Sequence, residues 1–513
     1  MKRATAIICM VLWYVACVVG ISAATGDTVN VTLPDGSIVT VTTETKVSVT
    51  PAETPPTQPP TQPPTQPPTQ PPTQPPANGK LDDVGMNVAK ASYWTYGWAF
   101  YDLAKQSDAW RSDGTAYLFI NVDNPPPNDY KATWTGSGTI KFNNVTVTSS
   151  SQNQVTFRFK PGGLQMKKTG DVSGLSIVPT DVDPQLFHPA FIEKLKPFSV
   201  IRFMDWQHTN TAKEVNWSDR IKPDQMNAGT PVSLEYMIAL ANELQADPWF
   251  CMPHTASDDY IKQFATMVRD NLSPDRKVYV EWSNEVWNSQ FSVYKWVKAN
   301  GGGDLGSPGF YNEWAKNCKR AFDIWQQVFA GQDTRVIRVA ATQLANPDVG
   351  FKLASALNGN FDAVAPSAYV GVGSNSNIPS NVTADELIDM LLESVLDDNK
   401  GWYESYADLT DQWSTTTGRP IALISYEAGQ HLSPNGDGSV PWYNAYVQAQ
   451  KSPRMFNVYA ANLAAFETAG GSLFVAFNDV GPPSKYGAWG HLEYQDQPTA
   501  DAPKYRALLE APR

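Results

Sequence analysis

Short apolar segments recur along residues 80–513, and each is followed by polar or aromatic residues. Eight of them predict strands: Val84–Val88, Ser199–Trp206, Asp247–His254, Lys277–Asn284, Arg335–Thr342, Phe361–Ala368, Pro420–Tyr426 and Ser472–Asn478. Between them, apolar residues recur every three or four positions and predict amphipathic helices, such as Leu234–Gln245, Asp258–Asn271, Tyr311–Phe329, Asp385–Leu396 and Phe456–Ala469. Apolar strands that alternate with helices form a parallel sheet covered by helices. Eight such units favour an α/β fold of the (β/α)8 TIM barrel type over an open sheet.

Residues 113–180 follow a different pattern, in which apolar and polar positions alternate and Gly, Asn and Pro mark turns. This period of two predicts a small antiparallel β subdomain inserted after the first barrel strand. The subdomain could brace the barrel or bind carbohydrate, and the pattern does not choose between the two roles.

The N-terminal region divides into three segments of distinct composition. Residues 1–24 combine basic residues, a long apolar run and small residues, which is typical of a secretory signal peptide, although an uncleaved anchor also fits the length. Residues 25–54 are Thr/Val-rich, and the turn residues Pro34-Asp35-Gly36 predict a hairpin. Residues 55–76 are five PPTQ repeats closed by two prolines, which predict an extended linker. Residues 77–513 then form the expected catalytic domain. We expect a secreted, extracellular protein, with a periplasmic or surface-anchored location as the alternative.

Composition narrows the class of partner. The net charge is −12 and the chain has no block of basic residues, which excludes nucleic acid and anionic membrane surfaces as expected partners. The five histidines lack close metal-ligand spacing, and the GxGxxG match at residues 301–306 follows a helix rather than a strand. We therefore expect no metal, no cofactor and no membrane contact after signal cleavage, and a monomer that acts on a neutral substrate. Cys251 and Cys318 fall in core elements, where they could be free thiols or a disulfide.

Several polar and aromatic residues stand at the predicted C-terminal ends of the strands, where the chemistry of a (β/α)8 barrel is located. Glu285 follows the fourth strand and Glu427 the seventh, so the two carboxylates face each other across the barrel mouth. Glycoside cleavage needs such a pair, because one group protonates the leaving oxygen while the other attacks the anomeric carbon or activates water. The other candidate site residues are Asn284, Arg202, His254, Tyr369, Trp489 and Trp206.

The stretch VEWSNEVWN around Glu285, followed by LISYEAG around Glu427, resembles clan A glycoside hydrolases, the retaining (β/α)8 enzymes that include families 5 and 39. The resemblance implies that Glu285 is the acid/base, that Glu427 is the nucleophile and that Asn284 binds the sugar 2-hydroxyl. It also implies that three further residues orient the nucleophile or stabilise its charge, namely Arg202, His254 and Tyr369, and that Trp489 lies under the sugar. Val286 stands where the commonest family 5 motif has proline.

Different environments would give the two carboxylates different roles. Arg202 and Tyr369 should keep Glu427 ionised, while a neighbouring negative charge and aromatic shielding should keep Glu285 protonated near neutral pH. Glu281 shares the alternation of Glu285 and lies deeper, so we expect it to be buried and paired with a base such as Arg202. Arg202 could instead be a purely structural ion-pair partner. Core packing is likewise an alternative role for the aromatic candidates His254, Tyr369, Trp206 and Trp489.

These observations predict a secreted retaining glycoside hydrolase that cleaves a β-linked neutral polysaccharide by double displacement. The resemblance favours cellulose or another β-glucan, then xylan or mannan, and endo action. The alternative from another class is a barrel that binds polysaccharide without cleaving it, or an adhesin-like protein. The pair of carboxylates favours the enzyme.

Overall fold

The computed structural model describes residues 28–32, 38–42, 46–50, 81–120 and 122–510. The predicted signal peptide and the PPTQ repeats lie outside these residues, as does the predicted turn at Pro34-Asp35-Gly36. The N-terminal unit contains an antiparallel sheet of three strands in sequential order, β1 (Thr28–Thr32), β2 (Ile38–Thr42) and β3 (Lys46–Thr50). Its alternating Thr and Val residues are typical of strands.

The larger unit begins with the first barrel strand, β4 (Leu81–Asn87). Seven antiparallel strands follow it: β5 (Thr115–Leu118), β6 (Asp129–Thr135), β7 (Thr139–Asn143), β8 (Val145–Ser151), β9 (Gln154–Phe159), β10 (Leu164–Thr169) and β11 (Ser173–Pro179). They form two small sheets, in the orders β5-β10-β7 and β11-β6-β9-β8. Aromatic and aliphatic residues from both sheets, among them Tyr130 and Phe157, make a core of their own. The predicted antiparallel insertion after the first strand is therefore present.

The remaining barrel strands are β12 (Phe198–Arg202), β13 (Asp247–Met252), β14 (Val278–Trp282), β15 (Val336–Thr342), β16 (Ala363–Pro366), β17 (Ala368–Val370), β18 (Ala422–Gln430) and β19 (Gly471–Phe477). All pair in parallel. From β4 through β12 to β16 each barrel strand pairs with the next in the chain, β16 and β17 both pair with β18, and β19 closes the barrel by pairing with both β18 and β4. The structure thus confirms the (β/α)8 barrel. Ser367 splits the sixth predicted strand into β16 and β17. The second predicted strand, Ser199–Trp206, ends earlier, at Arg202. After Arg202 the chain turns, and Gln207 N–H donates to the carbonyl of Phe203.

Helices cover the outside of the barrel. In chain order they are α1 (Pro189–Leu195), α2 (Leu234–Leu244), α3 (Asp258–Asn271), α4 (Ser292–Gly301), α5 (Pro308–Val328), α6 (Pro347–Leu357), α7 (Ala384–Ser394), α8 (Lys400–Thr417), α9 (Tyr443–Lys451), α10 (Met455–Thr468) and α11 (Pro503–Glu510). One large apolar cluster joins their inner faces to the outer faces of the strands. A smaller cluster fills the barrel interior.

The two cysteines of the described barrel, Cys251 and Cys318, are both buried free thiols, which leaves the disulfide alternative without support. Among the described residues, no helix is both long enough and apolar enough to span a bilayer.

Candidate active site

Arg202, the last residue of β12, lies fully buried at the centre of the site. Its guanidinium donates at 2.7 Å to Glu427 Oε1, at 2.8 Å to Asn284 Oδ1 and at 3.0 Å to Asn87 Oδ1. It also donates twice to Glu281 Oε2, at 2.8 and 3.1 Å. The rings of Trp249 and Tyr426 lie 5.6 and 5.0 Å from the guanidinium carbon. This cation at the end of β12 therefore joins side chains from β4, β14 and β18 and from the turn after β14.

Glu281 is the buried support that the alternation predicts. Its Oε2 accepts hydrogen bonds from Arg202, from Trp249 Nε1 at 2.9 Å and from Cys251 Sγ at 3.4 Å. Only 2% of the residue is exposed. A buried carboxylate needs a cation and hydrogen-bond donors beside it. Because Arg202 donates twice to Glu281, the ion pair also fixes the orientation of the guanidinium group.

Glu427 projects from β18 into the mouth with both carboxylate oxygens bound. Arg202 donates to Oε1, and the Tyr369 hydroxyl donates to Oε2 at 3.0 Å. The residue is 5% exposed. Two donors, one of them charged, hold this carboxylate in a single orientation.

Glu285 lies in the turn after β14 and is half-buried. The Tyr426 hydroxyl donates to its Oε1 at 3.0 Å, and the Asn288 amide donates to its Oε2 at 2.9 Å. Glu285 and Ser283 both have positive φ angles, of 42° and 60°, in the left-handed region that non-glycine residues rarely adopt. Such conformations cost free energy and cluster at functional sites. Here they turn the chain out of the strand and bring Glu285 to the mouth.

A bulge in β18 explains why Tyr426 and Glu427 both serve the site. Ser425 pairs with Phe474 of β19 and Ala428 pairs with Ala476, so β18 has one more residue than its partner between these pairs. A β-bulge changes the direction of the side chains around it. Tyr426 and Glu427, although consecutive, can therefore both face the site, which regular alternation would not allow.

The protonation of the carboxylates follows from burial and from their partners. Burial raises the pKa of Glu427, Arg202 lowers it, and the charge of Glu285 raises it further. Burial also raises the pKa of Glu285, while hydrogen bonds from Asn288 and Tyr426 lower it. The expectation that Arg202 and Tyr369 keep Glu427 ionised needs correction, because burial outweighs them and raises its pKa above the ordinary value. Of the two groups, Glu427 has the cation and Glu285 has only neutral hydrogen-bond donors, so proton retention is easier at Glu285.

The remaining predicted residues take different positions. Trp489 is half-buried beside the site, with its ring 5.7 Å from that of Tyr369. His254 is 5% exposed after β13, and burial lowers the pKa of its ring. Trp206 is 1% exposed, stacks against Phe191 and donates from Nε1 to the carbonyl of Ala89. Trp206 is therefore a core residue, and its predicted contact with substrate is wrong, because neither face of its ring is free.

The structure adds four residues that sequence reasoning did not identify. Asn87 accepts a hydrogen bond from Arg202, while Tyr426 and Asn288 donate to Glu285. Asn210 accepts from Asn284 Nδ2 at 3.0 Å. Position at a strand end could have indicated Asn87, the last residue of β4. No comparable signal marks Asn210, which lies in a short 3₁₀ helix, Thr209–Thr211, after β12. Within the described ranges, no group of three or more His, Cys, Asp or Glu side chains could hold a metal ion.

Comparisons with known proteins give similarities to solved structures alone. No family model matches the chain, and no curated protein matches it. The model is similar to a family 51 α-L-arabinofuranosidase from Bifidobacterium longum, with 12% identity, a TM-score of 0.45, and 64% of this chain and 68% of that chain covered. A family 51 arabinofuranosidase from Xanthomonas axonopodis shares 15% identity, a TM-score of 0.39, and 58% and 62% coverage. A family 5 xyloglucanase from Paenibacillus pabuli shares 12% identity, a TM-score of 0.36, and 64% and 92% coverage. The similarities extend to several glycoside hydrolase families and assign the chain to none.

Proposed function

We propose that this chain is a secreted retaining glycoside hydrolase that cleaves a β-linked neutral polysaccharide. One observation carries the proposal: Arg202 donates both to Glu427 and to Asn284, the residue that precedes Glu285. Two carboxylates with different partners are thereby held at one barrel mouth, which is what glycoside cleavage requires. The preferred substrate is cellulose or another β-glucan, followed by xylan or mannan.

In the proposed mechanism, ionised Glu427 attacks the anomeric carbon while the bond to the leaving oxygen breaks. Glu285 gives its proton to that oxygen, so the leaving sugar departs neutral and Glu427 carries the glycosyl ester. Glu285, now ionised, then takes a proton from a water molecule as the water attacks the anomeric carbon. The ester breaks, Glu427 is released as a carboxylate and the anomeric configuration is retained.

The contacts in the site support these roles. Arg202 offers a positive charge to the carboxylate of Glu427, and Tyr369 fixes the second oxygen. Glu285 has only the neutral donors Tyr426 and Asn288, so it is the better place for the proton that the pair retains. Asn284, held by Arg202 and Asn210, is placed beside the acid, where its amide could bind a sugar hydroxyl.

The test is the Glu427→Gln variant, with Glu404→Gln on the exposed surface of α8 as the matched control. Both are incubated with carboxymethyl cellulose, mixed-linkage β-glucan, xylan and mannan, and released sugars are identified by mass and by anomeric form. Wild type and control should release products of retained β configuration, and Glu427→Gln should lose turnover on the order of a thousand-fold or more. Full activity in Glu427→Gln would remove the nucleophile assignment. Polysaccharide binding by the wild type without release of any product would favour the binding barrel.

A further inference from the structure

A cleft of about 350 Å³ opens beside the two carboxylates, and of these two only Glu285 lines it. Its walls come from residues that follow β14, β15 and β18, from β17 and the residues beside it, and from the segment between the end of α7 and the start of α8. They include the aromatic side chains of Trp287, Trp402 and Tyr369. The volume lies in the range of small-molecule sites, and half-buried aromatic rings among polar groups are the usual lining of such sites.

A turn of π-helix shapes one wall of this cleft. Residues Val395–Asn399 adopt π geometry between α7 and α8. Ser394, Asp398 and Trp402, at intervals of four residues, all line the cleft. A helix places such residues on one face, and π-turns in helices are frequent at functional sites.

The same turn is tied to the nucleophile. Asn399, which is fully buried, donates from Nδ2 to the backbone carbonyl of Tyr369 at 2.9 Å and to the Tyr403 hydroxyl at 3.1 Å. The hydroxyl of Tyr369 in turn donates to Glu427. The wall that carries Trp402 is therefore built against the residue that orients Glu427, so the cleft adjoins the carboxylate pair.

The position of Glu285 identifies the occupant. In the proposed reaction, the acid contacts the leaving oxygen, while Glu427, Arg202 and Asn284 surround the sugar that stays on the enzyme. A cleft that begins at Glu285 and excludes Arg202 and Asn284 from its lining thus faces the leaving group.

We propose that this cleft is the binding site for the leaving-group sugar, and that Trp402 is its stacking platform. The inference rests on the proposed function. The ring of Trp402 offers an apolar face to the C–H face of a β-linked sugar. Asp398 and Gln343 supply a carboxylate and an amide for its hydroxyls, as a neutral saccharide requires.

The site has a second consequence for the reaction. A sugar that binds there can replace water in the second step, when its hydroxyl oxygen attacks the anomeric carbon of the glycosyl ester. The hydroxyl proton then passes to Glu285, a new glycosidic bond forms and Glu427 leaves as a carboxylate. The ratio of transfer to hydrolysis therefore measures occupancy of the cleft.

The experiment compares Trp402→Ala, Trp402→Phe and Leu396→Ala in the full chain. Leu396 lies in the same π-turn and is 66% exposed, and it does not line the cleft. Substrates are the glycosyl fluorides and the unsubstituted oligosaccharides of the cello, xylo and manno series, with and without added oligosaccharide acceptor. Fluoride leaves as a single ion that fills no sugar site, so the glycosyl fluorides report on the carboxylates without the cleft.

Trp402→Ala should lower kcat/KM for the oligosaccharides about ten-fold and lower the transfer ratio, while kcat/KM for the glycosyl fluorides stays within about two-fold. Trp402→Phe should keep most of the oligosaccharide activity, and Leu396→Ala should match the wild type. Equal rates of wild type and Trp402→Ala on oligosaccharides, or an equal loss on both substrate types, would overturn the assignment. Its failure leaves cleavage by the wild type intact, whereas failure of the proposed function removes that cleavage.

Discussion

Replacing Arg202 by Met should destabilise the protein and inactivate it for two separable reasons. The guanidinium makes five hydrogen bonds to four side chains, and all of them are lost. Glu281 then remains at 2% exposure with Trp249 and Cys251 as donors and no cation. Glu427 separately loses the one charged donor of its carboxylate.

Magnitudes follow from these contacts. Removing one partner of a buried ion pair costs about 3–5 kcal/mol of unfolding free energy, because a buried charge is left uncompensated. A hydrogen bond between charged groups contributes about 1.5–3 kcal/mol, so the loss at Glu427 should lower kcat/KM by roughly ten- to a hundred-fold. The first effect acts through Glu281 and the second through Glu427.

The double variant Arg202→Met/Glu281→Gln separates the two effects. Neutralising Glu281 removes the uncompensated charge, so at least about half of the lost stability should return. Activity should stay low, because Glu427 still lacks its cation. Arg158→Met is the control: Arg158 is 59% exposed, and its ion pair with Asp129 should contribute about 1 kcal/mol or less.

Urea unfolding and hydrolysis kinetics at one pH measure both quantities in all variants. A free energy of unfolding for Arg202→Met within about 1 kcal/mol of the wild type would refute the role of Arg202 as the central support. Recovery of activity together with stability in the double variant would refute its separate role at Glu427.

Three further predictions concern titration and rescue. Burial raises the pKa of Glu427 above its ordinary 4.5. The stability that protonated Glu427 contributes is therefore fully present below pH 4.5 and is lost as pH rises through the raised pKa. Glu427→Gln should gain stability relative to the wild type as pH increases, and urea midpoints of the two proteins that stay parallel from acid to alkaline pH would contradict this. Burial lowers the pKa of Lys504, which donates to the carbonyl of Ala488 at 2.8 Å, from 10.5 to about 7. Stability of the wild type should rise between these pH values, and Lys504→Met should flatten that rise in the same assay, whereas an unchanged slope would exclude Lys504 as its source. Glu285→Ala should lose activity on oligosaccharides and regain turnover of 4-nitrophenyl glycosides with azide; mass spectrometry should detect the glycosyl azide, and its absence would count against the acid/base role.

Much of the barrel could be predicted because its strands are buried on both faces. Apolar runs such as that of β13 are visible in the sequence, and polar residues immediately after them mark the mouth. Glu281 was likewise predictable from its position in β14. Trp206 shows the limit of this reasoning, because a tryptophan after a strand end can turn towards the mouth or into the core. Its place beside Phe100, Phe187 and Phe191 depends on residues far from it in sequence.

The contacts of Glu285 and Glu427 were less predictable from the sequence, for two physical reasons: a bulge in β18 and the burial of Glu427. Regular alternation assigns Tyr426 and Glu427 to opposite faces of β18, and the one-residue bulge against β19 lets both side chains face the site. A bulge depends on the register between two strands, so the sequence of one strand does not reveal it. The pKa of Glu427 depends in the same way on every group that excludes water from it. Counting its donors, Arg202 and Tyr369, indicates a lowered pKa, but Glu281 shares the same guanidinium, the charge of Glu285 raises the pKa, and burial opposes the ion pair. Burial and the mutual repulsion of the two carboxylates both favour a shared proton, and under the proposed mechanism the difference in their partners assigns that proton to Glu285.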